Sequence, residues 1–110
     1  MSSMVLLVES QATSLSHGNI FRVPGKYPYE TWVDFMVFDT QIEHSPYGLI
    51  VVSGYKAGLI LVRFPVESLS PAGGLDREWV VSNWGYWVYP ECDVSNVYLI
   101  ERYDAAPPEE

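Results

Sequence analysis

Two histidines, one cysteine and fourteen carboxylates are this chain's stock of chemically versatile side chains. His17 and His44 have no cysteine or second histidine at the spacing a zinc site requires. They stand alone in loop-like sequence and read as surface residues. Cys92 would need a neighbouring base or positive charge to act as a nucleophile. Its neighbours are Glu91 and Asp93, which keep a thiol protonated, so a structural thiol is expected. As the single cysteine it forms no internal disulfide. Close carboxylate pairs, such as Glu91 with Asp93 or Asp76 with Glu78, are what glycosidases and cation sites use. With 14 acids in 110 residues, such pairs also arise by chance. Gly73-Gly74 lacks the lysine and the strand–loop–helix setting of a phosphate loop. No basic stripe suits nucleic acid. The expectation is a non-enzymatic protein with no catalytic, metal or cofactor-binding residues.

The charge balance points to a partner instead. Six Lys and Arg face fourteen Asp and Glu, a formal net charge of −8. Such a surface repels nucleic acid and anionic membrane and steers the chain toward basic partners. Acidity also serves plain solubility, and composition alone leaves both readings open. A hydrophobic share of 48% is enough for one core without metals or disulfides. No stretch approaches the roughly 18 apolar residues that span a bilayer. The longest, 49–52 and 59–62, are strand-sized. The first nine residues have no basic start and too short an apolar run for a signal peptide. A cytoplasmic location is expected.

The elements that would position these residues follow from the apolar pattern. Residues 1–18 read as an edge strand over 4–8 or as a disordered segment. Residues 19–104 form a single domain, and 105–110 form an acidic tail. Residues 19–23 make a strand ended by Pro24-Gly25, and 25–30 a turn-rich aromatic loop. Residues 32–38 are rich in β-branched and aromatic types and read as a strand. A short helix starting at 29–33 is the alternative, with Pro28 in its first turn. Residues 49–53 and 59–64 form a hairpin, with Gly54 and Gly58 supplying the unusual dihedrals. Both strands are almost wholly apolar, so both faces are expected to be covered. Asp76 is a plausible N-cap for a helix over about 76–87, stopped by Pro90 at the latest. Residues 96–103 give a last strand. The sum is α+β: a mostly antiparallel sheet of about five to six strands with one helix packed on a face.

Three of the four tryptophans fall in this helical stretch. Val80, Trp84 and Trp87 share one stripe and read as core. Trp79 falls off the stripe beside Tyr86, and is either an exposed anchor or folded back on a loop. Tyr27, Tyr29 and Tyr47 lie in predicted loops near Glu30, Asp34 and Glu43. Such a mixture suits the binding of a basic partner, or simply covers the sheet edge.

Four stretches together resemble a known family. They are Ile20-Phe-Arg-Val-Pro24; Tyr27-Pro-Tyr-Glu-Thr-Trp-Val-Asp-Phe35; Ser53-Gly-Tyr-Lys-Ala-Gly-Leu-Ile-Leu-Val62; and Trp79 through Asn83-Trp84, Trp87 and Tyr89-Pro-Glu-Cys92. Over roughly residues 19–103 the chain is similar to immunity protein family forty-five of bacterial polymorphic toxin systems. The resemblance implies a protein that binds and neutralises one cognate toxin, covers its active site, and protects the producing cell. It implies no enzyme activity. A toxin that is a basic nuclease would match the acidity, and a toxin of another class is equally compatible with the resemblance. The shared motifs are structural in type, so contact residues are expected in loops and on exposed faces. The expected toxin-binding surface is Tyr27, Tyr29, Glu30, Glu43, Tyr47, Glu78, Glu91 and Asp93. The competing reading is a generic interaction or scaffold domain, homodimeric through an exposed aromatic patch.

Overall fold

The structure, a computed structural model, describes residues 4–25 and 31–103. Tyr27, Tyr29 and Glu30 lie outside the described residues, as does the tail from 104. Eight strands and one short helix follow in order: β1 (Met4–Leu6), β2 (Ser14–Leu15), β3 (Ile20–Pro24), β4 (Trp32–Asp39), β5 (Tyr47–Val51), β6 (Ile60–Arg63), β7 (Leu75–Asp76), α1 (Arg77–Ser82) and β8 (Tyr98–Ile100). Six strands form one antiparallel sheet in the order β1-β8-β3-β4-β5-β6, and β2 pairs with β7 beside it. The fold is α+β, as the sequence pattern predicts.

The period-two alternation of the central strands builds the core. Phe21, Val23, Val33, Phe35, Val37, Leu49 and Val51 point to one face and are buried. Leu7, Leu15, Phe64, Leu75, Val80, Trp84, Val88 and Val97 close over them from the connecting segments. Leu7 and Leu15 are fully buried, so the first eighteen residues supply core as well as an edge strand. The Trp84 indole meets Phe21 edge to face, with ring centroids 5.7 Å apart.

Asp76 caps α1, its side chain accepting the Glu78 N–H at 3.1 Å. The helix is shorter than the sequence pattern predicts. Asn83 leaves helical geometry, with φ −113° and ψ 13°, and its amide donates to the Trp79 carbonyl at 2.9 Å. An amide side chain that bonds nearby backbone competes with the helix, and Gly85 adds a poor helix former. The chain continues as a wider π-type turn, Trp84–Val88, closed by the Tyr89 N–H on the Trp84 carbonyl. The buried stripe therefore becomes Val80, Trp84 and Val88, with Trp87 half-buried at its side. Trp79 folds back, packing on Phe64 at 6.0 Å and Trp87 at 5.8 Å.

The other sheet face has a different make-up. One row crosses all six strands: Met4, Ile100, Ile20, Met36, Ile50 and Ile60, each opposite the next. Ile20 is fully buried and Ile100 nearly so, while the row ends, Met4 and Ile60, are 49% and 43% exposed. Among the described residues no helix lies on this face. The expectation that both faces of β5 and β6 are covered is thus met on the α1 side only. At the next row the apolar pattern gives way to Arg22 opposite Asp34.

Candidate interaction surfaces

The register of β4 sorts the expected contact residues into two groups. Seven rises of about 3.4 Å along its eight residues separate its ends by roughly 24 Å. At the Trp32 end the Gly25 N–H donates to the Thr31 carbonyl, at 2.6 Å. Tyr27, Tyr29 and Glu30 fall between those two residues in sequence and outside the described residues. Glu91 is exposed there and lines an open cleft of about 410 Å³ with Pro24, Gly25 and Tyr89. Asp93 follows, capping the turn Val94–Asn96 through the Ser95 N–H and hydroxyl. Those bonds hold its carboxyl below the ordinary carboxylate range. The far end of β4 carries the rest. Glu43 is exposed in the 40–46 loop. Tyr47 sits opposite Asp39, half-buried against the core. Glu78 is exposed at the start of α1, 3.9 Å from Arg77, and the next residue packs on Phe64 beyond the end of β6.

Sequence reasoning passed over the side chains that are most exposed. Trp32, opposite Pro24, is 45% exposed and meets Tyr98 edge to face at 6.1 Å. Its alternation with Val33 carries the signal: Trp32 falls on the face of Asp34 and Met36, away from the main core. Tyr86 is 87% exposed, as its place off the apolar stripe implies; Leu59 and Val66 are also exposed, and local pattern offers no clue to them. They stand out because β6 is the sheet edge, which is a matter of tertiary order.

Asp34 is buried on this second face and fully engaged. It accepts Arg22 Nε at 2.8 Å and Nη2 at 2.9 Å, and the Tyr103 hydroxyl at 2.9 Å. Its backbone N–H donates to Ser53 Oγ at 2.9 Å. The Arg22 guanidinium is raised above its usual range, chiefly by this hydrogen-bonded carboxylate. The Tyr103 phenol is pushed up to about 12, first by burial and then by Asp34. A carboxylate so occupied is a structural ion pair, with its lone pairs taken.

Cys92 is half-buried, and burial pushes its thiol up. Its sulfur lies against the Trp84 indole N–H, which works against that rise, while Asp93 adds to it. The buried Trp84 Nε1 has no hydrogen-bond partner of ordinary geometry. The sulfur beside it is a weak acceptor, and this contact softens the cost of burying the N–H. A thiol kept protonated fits the expected structural role. His17 and His44 are both exposed. His17 lies on a cleft of about 670 Å³ with Ser14, Ser16, Asn19 and Arg102. Among the described residues no three His, Cys, Asp or Glu side chains are grouped to hold a metal ion, and no helix is long and apolar enough to cross a membrane.

With this geometry in view, the match to known families is informative. The family described as immunity protein 45 matches residues 7–99, from the first fully buried leucine to the last sheet strand. The chain belongs to that immunity-protein family, and membership implies a cognate toxin as partner. No curated protein and no solved structure matches the chain.

Proposed function

We propose that this immunity protein neutralises one cognate toxin by binding it and covering its active site, without chemistry of its own, in the cytoplasm of the producing cell. The contact surface is the Trp32 end of the sheet: Trp32 and Tyr98, with Glu91, joined by Tyr27, Tyr29 and Glu30 from the sequence between Gly25 and Thr31. The observation that carries this reading is Trp32, a large aromatic left 45% exposed opposite Pro24, which lines a cleft with Glu91, in a chain of the immunity family. Aromatic anchors surrounded by polar groups are the usual source of binding energy at interfaces. The net charge of −8 favours a toxin with a basic cleft, a nuclease being the natural case. Asp93 contributes indirectly, since its carboxylate caps a turn.

The test is co-expression of this protein with the C-terminal toxin domain encoded beside it. Survival of the cells and a co-purifying one-to-one complex are expected. Trp32→Ala should weaken the complex by about tenfold or more. Glu30→Lys with Glu91→Lys should slow association and flatten its salt dependence. Toxicity without rescue, together with a self-associated protein in solution, would replace this reading with a homodimeric scaffold.

A further inference from the structure

Exposed apolar side chains lie at both sheet edges, Met4, Val5 and Val8 at or beside β1 and a larger, more exposed group at β6. Tyr55 is 71% exposed, Leu59 58%, Ile60 43%, Val66 58% and Tyr86 87%. Tyr55, Leu59 and Ile60 lie in the β5–β6 hairpin or its outer strand, Val66 just beyond it, and the turn carrying Tyr86 packs beside β6. Strand β6 pairs with β5 on one side only. The Phe64 N–H donates to the Tyr47 carbonyl at 2.9 Å, so Phe64 faces β5. By ladder alternation Arg63, opposite Gly48, presents its backbone N–H and C=O outward. The register passes over Leu61, a bulge that leaves this residue out of the ladder to β5.

Charge singles out the same edge. Among the described residues Arg22, Arg77 and Arg102 lie within ion-pair distance of carboxylates. The remaining described cations are Lys56 and Arg63, and they bracket β6. In a chain of net charge −8, Lys56 and Arg63 sit on this hairpin itself, with exposed Glu67 beyond the strand end, and Arg63 is open to backbone pairing. A second copy related by a two-fold axis would set the cations of both copies along one seam, which like-charge repulsion disfavours. An extended partner segment with aliphatic and acidic side chains matches it. The hairpin tip lies at the same end of the sheet as Trp32, because the Val52 N–H donates to the Asp34 carbonyl at 2.9 Å.

We infer that β6 is a docking edge on which an extended, acid-bearing segment of the toxin adds as a further strand, anchored by Leu59, Ile60 and Tyr86. This rests on the proposed toxin binding and adds a second contact to it. The Trp32 end would meet basic groups of the toxin and β6 an acidic segment, so the two contacts together fix one orientation.

The experiment uses the full chain and the neighbouring toxin domain. Arg63→Pro removes the outward N–H and the charge but leaves the ladder to β5 intact. Arg63→Gln removes the charge alone. The proline variant should lose about tenfold or more in affinity, the order expected for one or two lost contacts, and the glutamine variant less. Leu59→Glu with Ile60→Asp serves if the proline variant fails to fold, and should lose at least as much. Amide exchange in the wild-type complex should show new protection at Arg63. Binding by all variants at wild-type strength, with no new protection, would overturn the docking edge and leave the immunity reading standing. A wild-type dimer paired through β6 would also overturn it. Failure of the wild-type chain to bind the toxin would remove both.

Discussion

The two faces of the main sheet are built by different physics. On the α1 side, Phe21, Phe35, Leu49 and Trp84 meet other apolar side chains, and stability comes from volume filled. On the opposite side, an apolar row is flanked by Arg22, Asp34 and Tyr103, and stability there depends on pairing. The first kind of face tolerates changes that keep volume. The second tolerates loss of the whole polar group better than loss of one member, since a charge left alone in a buried place is what costs.

Substitution of Trp84 by Ala is the most damaging change expected on the filled face. It removes the largest fully buried side chain, and the cavity should lower unfolding stability by about 4 kcal/mol, read from denaturant midpoints at constant slope. On the paired face, Asp34→Ala should cost about 1–3 kcal/mol by removing the acceptor of Arg22 and Tyr103, with Arg22 itself 32% exposed. Replacing both, Arg22→Met with Asp34→Leu, should cost much less than the single change. A double variant as unstable as Asp34→Ala would erase the distinction between the faces.

Gly48 tests the row beyond. A Cβ there would lie 2.6 Å from the Val62 carbonyl oxygen and 2.9 Å from the Phe38 ring. The Val62 carbonyl and the Phe38 ring together leave no room for a side chain here. Gly48→Ala should cost about 1–3 kcal/mol by overpacking. Shortening the ring in the same chain, Phe38→Leu, should recover part of the loss.

These differences also mark how far the sequence could be read. The β-branched and aromatic content of 32–38, the apolar run at 49–53, the glycines at 54 and 58 and the Asp76 cap are local signals, and they placed the strands, the hairpin and the helix start. Gly54 and Gly58 do take φ of 77° and 100°. The helix end escaped because Asn83 bonding to Trp79 O competes with a pattern that otherwise continues. The expected contact surface was dispersed for a tertiary reason: Glu43, Tyr47 and Glu78 belong to one end of β4, Glu91 and Asp93 to the other. Spacing along the chain does not encode that separation. Nor does any local signal tell that β6 is an edge, which depends on β8 and β1 joining the sheet on its other side.

The smallest expected effect lies in the hydroxyl of Tyr103. Tyr103→Phe removes one hydrogen bond to a buried carboxylate, about 1 kcal/mol at neutral pH. Its pH dependence is more telling. Burial, the Asp34 bond and the Asp34 charge raise the phenol from 10.0 to about 12, against a small opposing pull from Arg22. The folded state thus favours the protonated phenol. Its contribution is complete below 10.0, and it is lost as pH rises from there to about 12. Because Tyr103 is 42% exposed, solvent screening makes the loss a fraction of its nominal size. Denaturant midpoints measured across that interval should fall more for wild type than for Tyr103→Phe. Parallel curves would mean that the phenol titrates like an exposed one, and that the paired face rests on Arg22 and Asp34 alone.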